Sequence, residues 1–186
     1  LFHAAPRLVA HMDKTASAHL RDIYAASLGP ESTVLDLMSS VHSHLPDGLA
    51  LDVTGLGLNA EEMRANHALA RHVVQDLNAN PTLPFADHSF DAATLSLSIE
   101  YLARPGAVLR EARRVLKPGG QLMVGFSNRW FPTKTVALWL DLHEFERMGF
   151  VLDLFLQDGG FTSLWTKSVR NWWRPADDPH VGKAWT

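Results

Sequence analysis

Apolar positions from residue 5 to residue 28 (Leu8, Val9, Met12, Leu20, Ile23, Tyr24, Leu28) fall at helical spacing and stop at Gly29-Pro30. Short apolar runs then alternate with longer amphipathic ones. Thr33 to Leu37 reads as a first strand, and Leu49 to Leu56, bounded by glycines, as a second. Asn59 predicts a helix N-cap, with Glu61 and Glu62 in the first turn, where negative charge suits the helix dipole. His72 to Asp76 and Phe90 to Leu97 read as the third and fourth strands. Residues 105–116 predict an amphipathic helix, "KPGG" a sharp turn, and Gln121 to Ser127 a fifth strand. Helices are expected over residues 133–148 and 151–157, then a sixth strand over 161–169 after Gly159-Gly160. Strands alternating with helices predict a parallel sheet covered on both faces. The reading is one domain, with residues 1–30 as a helical segment packed on an α/β unit of residues 31–186.

Ligands of such sheets bind beyond the carboxyl ends of the strands. Residues 36–44, 57–59, 76–78, 96–101 and 127–131 therefore hold the candidate chemistry. Composition narrows this further. With 186 residues, 46% of them apolar and 20% charged, the chain can bury a sizeable core. A net charge of −3 gives no electrostatic reason to expect nucleic acid or an anionic membrane as partner. The chain has no cysteine, which excludes disulfides, thiolate metal sites and cysteine nucleophiles, and makes the cytoplasm the default expectation. No apolar run reaches the roughly 18–20 residues of a membrane span. The chain starts at Leu1 without an initiator methionine or a signal-peptide pattern, so a lost leader stays open.

Four stretches in order carry a resemblance: "STVLDL", "NAEEM", "QDLNANPTLPFADHSFDAATLSLSIEYLARP" and "REARRVLKPGGQLMVGFSNR". Together they resemble the class I S-adenosylmethionine-dependent methyltransferases, most specifically the small-molecule enzymes of type 11. The likeness covers about residues 31–170. It implies a Rossmann-like, doubly wound, mostly parallel sheet of six to seven strands with helices on both faces. For an antiparallel seventh strand only "PHVGKAW" near the end remains.

The resemblance also implies where the cofactor, S-adenosylmethionine, would lie. Asp36 stands where the family has the acid ending its first strand; a water-mediated contact to the cofactor's ammonium and a backbone cap are the two readings. The family's Asp-x-Gly-x-Gly turn is here "DLMSS", so Met38, Ser39 and Ser40 must cradle the methionine end with N–H and hydroxyl groups. Gly57 occupies the place of the ribose-binding acid. Asn59 could bond a ribose hydroxyl instead, with helix capping the better reading, and Asp52 is a poorer substitute. Asp76 is expected to accept from the adenine amino group, with Leu77 and Asn78 beside it. Ser96, Leu97 and Ser98 would floor the cofactor's centre, and Asp91 reads as a structural tie at the fourth strand's start.

On the acceptor side, His42 or His44 could act as a base, against a surface or packing role. The pair lacks further ligands at metal spacing, so no metal is expected. Glu100 and Tyr101 follow the fourth strand, where related enzymes contact their acceptors. Arg129, after Asn128, could hold an acidic acceptor, and Trp130 and Phe131 could wall an apolar one. The aromatic "NWWRP" further on could cover a sheet edge, line the site or join a dimer. The expectation is methyl transfer to a small-molecule acceptor by in-line displacement, by a monomer or homodimer without nucleic acid or membrane partners. The alternative is a non-catalytic methyltransferase-like binding or scaffold protein. A dinucleotide dehydrogenase is a poor third, for want of Gly-x-Gly-x-x-Gly.

Overall fold

The structure, a computed structural model, describes residues 6–9 and 12–169. Helix α1 (Lys14–Ser27) is capped by Asp13, whose carboxylate accepts from Ala16 N at 2.9 Å. Then follow β1 (Thr33–Leu37), β2 (Asp52–Gly57), α2 (Ala60–Arg64), β3 (Arg71–Val74), β4 (Phe90–Ser96) and a 3-10 turn (Ile99–Tyr101). Helix α3 (Pro105–Val115), β5 (Leu116–Gly125), α4 (Ala137–Asp141) and α5 (Glu144–Asp158) complete the order.

The sheet runs β3-β2-β1-β4-β5 with every pairing parallel. The chain winds outward from β1 through β2 to β3, then returns to the other side of β1 for β4 and β5. The switch point of this doubly wound sheet therefore lies between β1 and β4. Period-two alternation sends side chains to two cores. Tyr24 and Leu28 of α1 pack with Val34, Val53, Ala92 and Met123 on one face. Leu35, Leu37, Leu56 and Leu95 meet α3 and α5 on the other, through Val108, Leu109, Ala112, Val151 and Phe155. At the strand starts, the Asp91 carboxylate accepts from Thr33 N and Thr33 Oγ1 at 2.9 and 2.7 Å and from Lys117 Nζ at 2.8 Å. Those partners hold its pKa down at about 2 and tie β1, β4 and β5 together, the structural role expected of it.

Four expectations need correction. The described residues form five strands, not six or seven. Residues 161–169 form no strand: Phe161 stacks edge-on against Phe155 at 4.9 Å and, with Leu164, packs on the helical core. Phe161 and Leu164 are thus half-buried by the helical core rather than by strand pairing, while Trp165 and Val169 stay exposed. The helices expected over 133–148 and 151–157 are instead short α4 and long α5, because His143 starts a new helix: its N–H donates to Glu146 Oε2 at 2.8 Å in a capping box. "KPGG" is an irregularity within β5, with Gly119 at φ 82°, rather than a turn before it. The "NWWRP" and "PHVGKAW" segments lie outside the described residues. No helix of the described residues is long and apolar enough to cross a membrane.

Candidate functional site

Two residues at the switch point share an unusual backbone. Leu37 pairs with Leu95, so Met38 and Leu97 leave neighbouring strands at the same end of the sheet. Both have φ 53°, in the left-handed region that side chains with a Cβ seldom adopt. Ser39 N donates to Leu56 O at 2.8 Å and Leu97 N to Gly125 O at 2.6 Å, which fixes both turns. Met38 stands at the first glycine of the family's turn. This backbone region suits glycine, and the turn holds it with a side chain instead.

Beneath this turn the Asp36 carboxylate is 3% exposed and ringed by hydroxyls. Its Oδ2 accepts from Ser39 Oγ and Ser43 Oγ, each at 2.6 Å, and its Oδ1 from Thr94 Oγ1 at 2.9 Å. Burial raises its pKa to about 6, while the hydroxyls pull it back down. Asn66 Nδ2 donates to Ser40 O at 2.9 Å and Ser43 Oγ at 2.8 Å, and Ser40 Oγ donates to Glu62 Oε2 at 2.6 Å. Ser96 Oγ pairs with Tyr24 Oη at 2.6 Å. The side chains of Ser39, Ser40 and Ser96 therefore have partners within the chain, and a ligand would meet backbone here.

Gly57 explains the absent ribose acid. A Cβ at this position would collide with the carbonyl oxygen of Ser39. The turn after β1 lies against the end of β2, so the altered turn and the missing carboxylate are one feature. Asn59 caps α2, its Oδ1 accepting from Glu61 N at 2.9 Å and Glu62 N at 3.1 Å. Asp52 opens β2 and pairs with Arg71 at 2.9 Å, at the end of the sheet away from the switch-point turns, so it is no substitute.

At β3, Asp76 Oδ1 accepts from Asn78 N at 2.8 Å and Ala79 N at 3.4 Å, an Asx turn. Its Oδ2 has no partner among the described residues. Leu77 is buried in the core. The Asn78 side chain donates to Tyr101 O at 2.9 Å and accepts from Ala103 N at 2.8 Å, which ties this loop to the 3-10 turn.

The acceptor side gathers around that turn. Tyr101 Oη accepts from Phe131 N, and Glu100 O from Val136 N, both at 3.0 Å; these two bonds lay the segment after β5 over the turn. The Glu100 side chain is 1% exposed, and its Oε2 has no partner among the described residues. Burial pushes its pKa up to about 7, opposed by a hydrogen bond from its own backbone N–H and by the charge of Arg147. Arg147 is itself buried; its Nε donates to Trp139 O at 3.1 Å and its guanidinium lies 3.9 Å from the centre of the Trp130 ring. The indole nitrogens of Trp130 and Trp139 are buried without partners among the described residues. Arg129 is exposed. His42 is exposed too, while His44 Nδ1 bonds Ser17 Oγ at 2.9 Å, and their rings stand 6.4 Å apart. Sequence reasoning missed Arg147 and Trp139. A basic residue in the polar-looking stretch "HEFER" carries no sign that folding will bury it over an indole.

Known proteins agree with this architecture. Residues 37–124 match the family model of the methyltransferase domain. The ubiquinone/menaquinone biosynthesis C-methyltransferase UbiE of Bartonella henselae is 34% identical over 135 residues, 70% of this chain and 50% of that protein. UbiE of Burkholderia cenocepacia is 35% identical over 89 residues, 47% of this chain and 35% of that protein. The chain thus spans about half the length or less of these curated relatives. Among solved structures, the [4+2]-cyclase SpnF superposes with TM-score 0.59 at 21% identity, covering 82% of this chain and 60% of SpnF. A putative methyltransferase from Bacillus halodurans gives 0.57 at 23% identity, covering 78% and 68%. At such identities these structures speak for the fold alone. The parallel sheet with its switch point between β1 and β4, the matched domain model and the UbiE likeness together place the chain in the class I methyltransferase family, whose cofactor is S-adenosylmethionine.

Proposed function

We propose that this chain binds S-adenosylmethionine across the ends of β1 and β4 and methylates a small hydroxylated ring compound by direct in-line displacement, without a metal. The observation that carries this reading is the paired left-handed backbone of Met38 and Leu97 at the switch point. Such strain persists where the surroundings over-determine it, and it clusters at ligand sites. At Met38 it falls where the family's turn has glycine, the residue that adopts this region without strain.

The residues fit the cofactor at three strand ends and not at the fourth. The backbone of Met38 to Ser40 would face its methionine part, Leu97 and Ser98 its centre, and the free Oδ2 of Asp76 its adenine amino group. At β2, Gly57 leaves the ribose without a carboxylate, and Asn59 is engaged as a cap. Loss of one charge-assisted hydrogen bond costs about 1.5–3 kcal/mol, or about tenfold to a hundredfold in affinity. When bound, the sulfonium supplies an electrophilic methyl group. The chain's part is to align the acceptor, keep water out and hold a proton. Trp130 and Phe131 would supply an apolar wall. Tyr101, with its pKa raised to about 12 by burial, stays protonated and serves as a post for Phe131. Arg129, His42 and His44 remain outer candidates for acceptor contact. A ring compound methylated at carbon is favoured by the likeness to the UbiE enzymes, and the cytoplasm is the proposed compartment.

Calorimetric titration with S-adenosylmethionine and S-adenosylhomocysteine tests the reading. Binding of both in the micromolar range is expected. Absence of heat with either at high micromolar concentration would sink it. The second reading, a methyltransferase-fold protein that does not transfer methyl, rests on the closure of Gly57 by the Ser39 carbonyl. The cyclase SpnF has this fold, and a fold alone does not dictate chemistry.

A further inference from the structure

We propose that Glu100 is the base that takes the hydroxyl proton of the acceptor, in a subsite for a planar hydroxyaromatic ring bounded by Trp130 and Arg147. The proposal rests on the methyl-transfer reading above and deepens it. It begins from a contrast among three buried acids. Asp36 accepts from three hydroxyls, and Glu62 accepts from Ser40 Oγ and from Arg7 N. Glu100 is buried as deeply, yet its Oε2 has no partner among the described residues. Burying a carboxylate oxygen without a partner is costly. Among the described residues only Asp158 Oδ1 shares this state, and Asp158 is ion-paired with Arg113 whereas Glu100 has no ion pair there.

Its surroundings match one kind of ligand. Glu100 lies in the 3-10 turn that follows the strained Leu97, beside the switch point. Two further unpartnered polar groups are buried with it on this side, the indole N–H groups of Trp130 and Trp139. Glu100 Oε2 is thus an unused acceptor on this side of the sheet, and the two indole N–H groups are unused donors. The Arg147 guanidinium over Trp130 adds a flat, positively charged surface and makes no ion pair with Glu100 among the described residues. A flat ring with one hydroxyl to donate and a second oxygen to accept complements this set. The segment carrying Trp130 is held over the turn by the bonds Phe131 N to Tyr101 Oη and Val136 N to Glu100 O, so the proposed ring site requires this segment to lift.

The charged and titratable groups bearing on Glu100 are Arg147 on α5, Glu144 acting through Arg147, and Tyr101 on its own turn. Burial brings the Glu100 pKa to about 7, where a carboxylate is both ionised in part and basic enough to accept a phenolic proton during reaction. In that step the acceptor's O–H bond breaks and its proton bonds to a Glu100 oxygen. The electron pair left on the acceptor oxygen enters the ring, and the ring carbon bonds the methyl carbon. The methyl–sulfur bond breaks with its pair going to sulfur. The ring carbon's own hydrogen then leaves to water as a proton while Glu100 returns its proton to the oxygen.

The test uses the full chain and two probes read by fluorine NMR, 4-fluorophenol and 4-fluoroanisole, the second lacking the hydroxyl proton. Wild-type protein is expected to bind fluorophenol about tenfold more tightly at pH 8 than at pH 6, following Glu100 ionisation around its value near 7. Fluoroanisole affinity stays flat with pH, and Glu100→Gln makes fluorophenol binding flat as well. With cofactor, Glu100→Gln should lower kcat about a hundredfold while S-adenosylhomocysteine affinity is unchanged. The proposal is overturned if fluoroanisole binds wild type as tightly as fluorophenol at pH 8, a comparison that needs no variant. It is overturned equally if Glu100→Gln keeps the wild-type pH dependence. The fluorophenol pattern is read without cofactor. Failure to bind S-adenosylhomocysteine would therefore remove the methyl-transfer reading while leaving the subsite measurable.

Discussion

Met38 holds a left-handed backbone at φ 53°, where a Cβ crowds the following carbonyl. The Met38→Ala variant removes the side chain and keeps that crowding, whereas Met38→Gly removes both. Glycine is therefore expected to be the more stable of the two by about 1 kcal/mol, a reversal of the usual order in which glycine loses to alanine. Urea denaturation of the pair measures the difference, and an alanine variant as stable as the glycine one would mean the turn relaxes out of its strain. Gly57 makes the opposite prediction. Gly57→Asp restores the residue type the family places at the ribose, yet its Cβ would meet the Ser39 carbonyl. A loss of about 1–3 kcal/mol in stability is expected, with no gain in S-adenosylmethionine affinity by calorimetry. That turn and acid were both departures could be read from "DLMSS" and from Gly57. Their coupling could not, because it is a contact between backbones 18 positions apart. The same holds for Asp36: its place at the end of a strand was legible, but the three hydroxyls that surround it come from Ser39, Ser43 and Thr94, the last on another strand.

Elements were legible where a periodic apolar pattern and a local stop signal agreed. The starts of β1, β4 and α3 stand where apolar periodicity begins, at Thr33, Phe90 and Pro105. The errors fall where long-range packing overrides local pattern. Residues 161–169 read as a strand, but Phe161 finds Phe155 of α5 before it finds a neighbouring strand. The join of α4 and α5 was hidden because His143 is not among the preferred capping residues, and its box with Glu146 shows only once the backbone at His143 is extended. That box supplies the prediction at this scale. Glu146→Ala removes the acceptor for His143 N and should cost about 0.5–2 kcal/mol. The loss should fall on the start of α5, as faster amide exchange in its first turn than in its last. Uniform exchange along α5 would show that packing by Val151 and Phe155 alone defines the helix end.

Across the whole molecule, two buried acids oppose two half-buried, ion-paired ones in setting how stability follows pH. Asp36 and Glu100 have folded-state values raised to about 6 and about 7, so the folded protein holds these protons more tightly than the unfolded chain. Their contribution is full in mild acid and is lost as pH rises through those values, with no further change above. Asp91, lowered to about 2, and Glu111, lowered by Arg114, act the other way: their contribution is present at neutral pH and is lost below the ordinary carboxylate range. Stability should therefore peak between about pH 4 and pH 5 and decline by on the order of 3 kcal/mol toward pH 8. Urea denaturation at a series of pH values measures the curve. The net charge of −3 gave no hint of this, because a charge count is blind to which carboxylates are buried. Glu100→Gln assigns the decline. Its amide has no charge to desolvate, so the segment of the curve between about pH 5 and pH 7 should flatten, leaving the smaller share of Asp36. A variant curve parallel to wild type across that range would place the proton elsewhere, and with it the base.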